Sequence, residues 1–446
     1  MLKLLANYLF LPFLALGFVF LFEMKYDLVG LTFIMLIAQS VLFLSLTFTR
    51  NVNLLVIYFT FTLVFLSIIP WLHYSSNHYI WRSSKIADSI YLIVNVLIFL
   101  ANTVIFFTYS FNSKMIQGAN EYVVYEKNKK SAVTLLAFSC LSFLFLLYLN
   151  DFSITQLLFR GLVDEYRVVV VESSSLSLLL GMASRLTPVF CFFYAATQIK
   201  RKAITKFLLL LIMILSVFPT GVARYMVAFV YIPLLLLYIP MMRRASVFAG
   251  ILIFSLFFVF PFLDQFRYFS GFDNLKILPP VEFFYAAHFD AYENFASAVE
   301  SNFVTYGYQL LGSLFFFIPR VFWPGKPVGS GYEMAENNGY SFNNISMPFL
   351  GEGYVNFGVA GVLIFSVLIG YFMAKTDSRF AAKNDARIKP NYFSAVYYFL
   401  IGALFFLLRG DLLSSFAYIS AGLIVALFIA KLMRLVNSVN SVFFRL

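Results

Sequence analysis

The chain has 446 residues, of which 61% are hydrophobic and only 12% charged, with 58 phenylalanines and a formal net charge of +11. This composition excludes a soluble globular domain and points to a polytopic membrane protein, long enough for about a dozen spans of roughly 20 residues. The two cysteines, Cys140 and Cys191, both lie in apolar segments, so no disulfide framework is indicated.

Taken in chain order, the first apolar run (Leu4 to Phe22) is span-length. It ends in Glu23-Met24-Lys25-Tyr26-Asp27 without a small-residue cleavage site, and so reads as a span rather than a cleavable signal. Further spans are predicted at 28–48, 53–72, 89–111, 132–149, 175–198, 207–219, 222–241, 246–263, 348–373, 391–408 and 413–430. Between them lie basic loops: Lys114 to Lys130, Lys200-Arg201-Lys202, Arg243-Arg244 and Lys375 to Lys389. With Lys3, Arg50 and the C-terminal tail, this side collects most of the 32 Lys and Arg residues, but only Glu121, Glu126, Asp377 and Asp385 of the acids. That asymmetry is the positive-inside pattern, so these loops and both termini are expected to be cytoplasmic. The positive charge is a topology signal, and no nucleic-acid partner is expected.

Parity then places residues 264–347 outside, between the ninth and tenth spans, as the one long outer segment of a single membrane domain covering 1–446. Long ordered loops in compact proteins are usually functional. The apolar run near 306–318 cannot be a full crossing, and reads as a re-entrant or interfacial element. It leads into Ile318-Pro319-Arg320-Val321-Phe322-Trp323-Pro324-Gly325-Lys326-Pro327, where three prolines forbid helix continuation and frame two cations.

Several other cations fall on the outer side. Arg185 lies near mid-bilayer in the sixth span, where a charge costs about 2.5–3.5 kcal/mol and marks either a functional site or a structural ion pair. Arg224 follows the break Pro219-Thr220-Gly221, and Arg409-Gly410-Asp411 caps another outward hairpin. Each of these two alone could equally be a snorkelling anchor. Together, Arg167, Arg185, Arg224, Arg267, Arg320, Lys326 and Arg409 form a set suited to holding a pyrophosphate and stabilising it as a leaving group, with no metal required.

In the outer segment, His288-Phe289-Asp290-Ala291-Tyr292-Glu293 has helical spacing, and either His288 or Asp290 could take a proton from a sugar hydroxyl. Bonding to sugar hydroxyls and a solvated helix face are the competing roles. His73 and His78 receive no role, and the three scattered histidines fit no zinc spacing. Gly329-Ser330-Gly331-Tyr332, Asn337-Asn338-Gly339-Tyr340 and Asn343-Asn344 read as a mobile loop able to stack on and hydrogen-bond a sugar, or as a plain exposed loop. Glu352, between Gly351 and Gly353, could approach a substrate closely, serve as a base or pair with one of the arginines, and pairing is the preferred reading.

The chain resembles the Wzy-type oligosaccharide repeat-unit polymerases (O-antigen polymerases). Five stretches carry the likeness: Thr220 to Arg224, His288 to Tyr292, Ile318 to Pro327, Pro348 to Gly361, and Arg409-Gly410. The first two hundred residues match in hydropathy and topology alone. The resemblance implies an all-α inner-membrane glycosyltransferase of about 12 transmembrane helices, akin to the C-type class and the O-antigen ligases. Such an enzyme takes a growing glycan from undecaprenyl pyrophosphate and passes it to a lipid-linked repeat unit, the acceptor hydroxyl displacing the pyrophosphate with inversion. On this reading Arg224, Arg320 and Arg409 carry pyrophosphate with Lys326 assisting, and the base is Asp290, His288 or the substrate itself. Neither a cofactor nor a metal is implied, and the partners are membrane lipid, undecaprenyl-pyrophosphate-linked oligosaccharides and a chain-length regulator. The acidic pair of metal-dependent C-type enzymes is absent from the first outer loop, Glu23 to Asp27. The rival readings are an O-antigen ligase acting on lipid A-core and a lipid-linked oligosaccharide flippase or other transporter; no matching halves support the last.

Overall fold

The computed structural model describes residues 23–48, 51–113, 129–159, 175–200, 202–265, 281–381 and 391–443. Among these residues the only β-type pairing is an isolated bridge between Asn51 and Arg244. The helices are α1 (Leu28–Thr47), α2 (Leu54–Ser76), α3 (Asp88–Asn112), α4 (Lys129–Leu149), α5 (Ser175–Gln198), α6 (Ala203–Ser216), α7 (Arg224–Tyr238) and α8 (Ala245–Leu263). There follow three short helices, α9 (Ala291–Glu300), α10 (Tyr308–Leu314) and α11 (Ser330–Asn337), and then α12 (Phe349–Ala381), α13 (Tyr392–Arg409) and α14 (Leu412–Phe443). Nine helices among the described residues are long and apolar enough to cross a membrane; α6 and α7, of 14 and 15 residues, are shorter. The expected first span, 4–22, lies outside the described residues, as do Arg167 and Arg267.

The helix starts follow local chemistry. Asp27, Asn53 and Asn391 sit at the N-caps of α1, α2 and α13 and accept from the backbone N–H of Gly30, Val56 and Ser394 at 2.9, 3.1 and 2.9 Å. Two helices are locally widened into π-type turns, at Val64–Ile68 in α2 and Ser255–Val259 in α8. In each case a proline lies two residues past the turn, Pro70 and Pro261. Proline has no N–H and crowds the carbonyl four residues back, and a widened turn accommodates both.

Pro348 does not begin a continuous span. At Phe357 and Gly358 the backbone leaves the helix, with Gly358 at φ +61° and ψ −148°. The first two turns of α12 fold back on the turn that begins after Gly358: a Cβ on Gly361 would lie 1.9 Å from the Gly353 carbonyl oxygen. The spanning part therefore starts after Gly358, later than the predicted 348, and runs on to Ala381 rather than 373.

Among the described residues two hydrophobic clusters hold the helices. One gathers α1, α2, α3, α8, α9, α12, the C-terminal end of α7, the first residue of α14 and part of α13; the other gathers α4, α5, α6 and the rest of α7, α13 and α14. Tyr397, Tyr398, Ile401 and Leu404 of α13 face the first cluster, whereas Tyr392, Ala395, Phe399 and Ala403 face the second. Gly402 brings α13 against α7: a Cβ there would be 2.3 Å from the Ala228 carbonyl oxygen. At one end of the bundle, buried Asp377 accepts from the backbone N–H of Leu54 (3.1 Å) and the hydroxyls of Tyr109 (2.7 Å) and Tyr397 (2.6 Å), tying α2, α3, α12 and α13 together. Residues 281–348 sit at the opposite end.

Candidate functional site

At that opposite end, Ala287–Phe289 forms a single 3-10 turn. Phe289 is buried against Phe65 and Phe283, with ring centroids at 5.1 and 5.6 Å. Its burial leaves His288 half-buried on the neighbouring side of the turn, where Phe283 packs on the imidazole at 5.2 Å. His73 and His78 support the turn from the α2 end, their Nε2 atoms bonding the Phe284 and Tyr285 carbonyls at 2.7 and 2.9 Å.

Two distant arginines meet here. Arg409, at the end of α13, donates from Nε to the His288 carbonyl (2.8 Å) and from Nη2 to the Ala287 carbonyl (3.0 Å) and Asp290 Oδ1 (3.2 Å). Arg224, the first residue of α7, places Nη2 2.7 Å from His288 Nδ1. A guanidinium only donates, so Nδ1 is the unprotonated nitrogen and, in the neutral ring, Nε2 carries the hydrogen. Arg224 reaches this point because residues 217–221 turn tightly: Thr220 Oγ1 donates to the Leu158 carbonyl at 2.7 Å, and a Cβ on Gly221 would lie 1.9 Å from the Leu157 oxygen. Thus four predicted residues, Arg224, His288, Asp290 and Arg409, are brought together from three separate parts of the chain.

Asp290 is 1% exposed and fully engaged. Oδ1 accepts from Ser346 Oγ (2.5 Å) and Arg409 (3.2 Å), and Oδ2 from Trp81 Nε1 (3.0 Å) and the Ser346 N–H (3.2 Å). A carboxylate offers about four acceptor positions, so this one has none left for a substrate hydroxyl. One turn on, Glu293 accepts from the backbone N–H groups of Ile80 (2.7 Å) and Trp81 (2.9 Å). Burial pushes its carboxyl up, against the opposing effect of those two N–H donors. Asp290 and Glu293 thus share a face, as their spacing predicts, and both grip Trp81.

Glu352 is buried in the fold-back, where its oxygens accept from Ser330 Oγ (2.7 Å) and the Leu412 N–H (2.9 Å) rather than from an arginine. Asp411 lies beside it, accepting from the Ser414 and Gly331 N–H groups at 3.2 and 3.4 Å, and burial pushes its carboxyl up. Glycine at 329 lets the chain close on this carboxylate: a Cβ there would sit 2.1 Å from Asp411 Oδ2 and force it to shift.

The proline-framed element closes on itself. Arg320 donates to the carbonyls of Lys326 (2.6 Å) and Pro327 (3.3 Å), and Lys326 Nζ donates to those of Phe316 (2.5 Å) and Ile318 (3.1 Å). Lys326 is buried, which pulls its ammonium pKa down, and Arg320 adds to the effect. Arg320 is exposed, and two of its five N–H donors serve these two carbonyls. Arg185 donates to the Ser216 carbonyl at 3.2 Å, bracing α5 against α6.

Sequence reasoning missed Trp81 and Ser346, and placed Ser330 in a mobile loop where it is the buried first residue of α11; each of the three fixes a carboxylate. The clearest available signal was Trp81, one of only three tryptophans, in a polar loop. Among the described residues, no three His, Cys, Asp or Glu side chains cluster as metal ligands. A family model described as O-antigen polysaccharide polymerase Wzy matches residues 5–439, nearly the whole chain. No curated protein and no solved structure matches.

Proposed function

The chain belongs to the O-antigen polysaccharide polymerase Wzy family, an integral-membrane glycosyltransferase-type activity that joins O-antigen repeat units, and from that premise we propose how it works. The donor is a growing glycan on undecaprenyl pyrophosphate, the acceptor a newly delivered lipid-linked repeat unit, and the transfer occurs at the periplasmic face. The observation that carries this reading is the meeting of Arg224 and Arg409 on one histidine turn, beside a buried carboxylate. Preorganised cations aimed at a leaving pyrophosphate stabilise the charge that develops as the glycosidic bond breaks, and cost no reorganisation during reaction. They take the role a metal ion has in other glycosyltransferases.

In this mechanism the acceptor oxygen bonds to the anomeric carbon as the bond to pyrophosphate breaks. Asp290, with its acceptor positions filled, is a positioning residue that holds Arg409. His288 supplies the base. A pyrophosphate that takes the Arg224 N–H releases Nδ1, the unprotonated nitrogen, to receive the hydroxyl proton. Donor binding thereby unmasks the base. Arg320, with N–H groups beyond those its own loop uses, contributes to the second lipid pyrophosphate, and Lys326 holds that loop in shape. Arg167 and Arg267 remain further cations of the same side, and Arg185 acts through packing.

The test is a surface-glycolipid gel from the source strain with this gene deleted, complemented by wild type, Arg224→Ala, Arg409→Ala or Arg409→Lys. Each substitution is expected to abolish the ladder while a core-plus-one-repeat band survives, since flipping and ligation continue. Loss of every repeat-bearing band in the deletion strain would point to a ligase or flippase. Polymerisation by wild-type membranes should persist in EDTA.

A further inference from the structure

Trp81 is held more rigidly than a loop tryptophan needs to be. Its backbone N–H donates to Glu293 Oε1 at 2.9 Å and its indole N–H to Asp290 Oδ2 at 3.0 Å, while the next residue, Arg82, is paired with Glu300. Against this fixed ring Phe342 stacks nearly parallel, with centroids 5.6 Å apart and an interplanar angle of 19°. Yet Phe342 is 41% exposed. It lies between exposed Ser341 and the amides of half-buried Asn343 and exposed Asn344, in the segment that Ser346 fastens to Asp290. A large aromatic ring is thus kept at the surface, backed by a second ring, with hydrogen-bonding side chains beside it.

We propose that the Trp81–Phe342 pair is the platform on which a sugar ring of the lipid-linked substrate is seated. The chemistry fits a pyranose. Its C–H face carries slight positive charge and packs on the electron-rich face of an aromatic ring, while its equatorial hydroxyls point outward to amides. Position also favours a sugar over a free peptide or a lipid chain. The indole N–H and Arg409 bond to the two oxygens of one carboxylate, so the platform and the pyrophosphate site are joined through Asp290. A glycan extending from that phosphate site would then have the aromatic pair as its nearest stacking surface. The inference rests on the polymerase reading and adds to it the place where the glycan, as distinct from the phosphate, is gripped.

The experiment uses full-length protein in nanodiscs and lipid-linked repeat unit purified from the source strain. Polymerisation rates are measured for wild type, Phe342→Leu and Phe342→Tyr, with sugar-free undecaprenyl pyrophosphate as competing inhibitor. Leucine keeps apolar bulk against Trp81 but removes the aromatic face, so a merely structural role would tolerate it. The expected result is a KM raised roughly five- to tenfold in Phe342→Leu, the size of one aromatic contact, with kcat and inhibition by the sugar-free lipid unchanged. Phe342→Tyr should restore the wild-type KM. An unchanged KM in Phe342→Leu would sink the platform while leaving the polymerase reading intact. Weakened inhibition by the sugar-free lipid would assign Phe342 to shaping the phosphate site instead. No polymerisation by wild type would remove both.

Discussion

Arg224 and Arg409 carry like charges, and bringing them to one turn is unfavourable unless something negative lies close. Asp290 supplies part of that charge through Arg409. A ligand of two or more negative charges adds to it, which is why the arrangement suits pyrophosphate better than a single carboxylate. The residue types were legible in the sequence, because cations and a histidine on one side of a membrane protein need a reason. Their partners were not. Whether Asp290 acts as a base or a buttress depends on Trp81 and Ser346, separated from it by 209 and 56 residues, and spacing cannot show such contacts. Glu352 was likewise expected to meet an arginine and meets a serine and a helix N-terminus. Beside it, Asp411 offers a pH test. Burial raises its folded-state pKa above the unfolded value, so its contribution to stability is greatest below the ordinary aspartate range and is lost as pH rises through the raised value. Thermal melts of purified protein should therefore show wild type gaining on Asp411→Asn as pH is lowered from neutral into that range. An unchanging difference between the two proteins would exclude a raised pKa.

Among the elements, α12 shows best how short-range chemistry builds the site. Residues 349–358 contain three glycines, and hydropathy alone reads them as the start of a span. What hydropathy cannot see is the positive φ at Gly358 and the near contact of Gly353 with Gly361. These reverse the chain, so that Asn356 Oδ1 can accept from the Leu310 N–H at 2.7 Å and the Thr305 N–H can donate to the Val355 carbonyl at 2.7 Å. α10 is thereby docked on the fold-back, and Gly312 receives Pro327 so closely that a Cβ would lie 2.3 Å from its ring. The apolar run near 306–318 thus contains a short helix, as its length predicts, with its direction set by neighbours distant in sequence. Gly358 occupies backbone space closed to side chains, so Gly358→Ala is expected to cost about 1–3 kcal/mol and to reduce polymer yield. Thermal unfolding in detergent measures the first effect and the glycolipid ladder the second. A variant as stable as wild type would mean that the reversal is not required.

The described residues form two apolar clusters that share α13 and the end of α7. The helical, polytopic class was evident from composition, and the rough positions of most described helices from the alternation of apolar runs with basic loops, although α12 and α14 run well past their predicted ends. The division into two clusters was not, because every span is apolar on most faces and periodicity no longer tells core from lipid. The helix ends that meet around His288 are those assigned to one side by parity. We expect that side to be periplasmic. Alkaline phosphatase inserted between Asn338 and Gly339 should be active, and a fluorescent protein fused after Leu446 should fold and fluoresce. The opposite pair of results would invert the topology and move the site to the cytoplasm.

The contact between Arg224 and His288 also crosses the boundary between the clusters. Met226, Phe229 and Val230 root Arg224 in one, and Phe289 and Tyr292 root His288 in the other. If, as proposed, a phosphate draws Arg224 away, it exchanges a bond between the two halves for a bond to itself. Phosphate affinity and the cohesion of the halves would then be two readings of one coupling free energy, each altering the other to the same degree. On the proposed mechanism, lateral pressure in the bilayer, which acts on how closely the halves are pressed together, would act on the proposed transfer site without touching it.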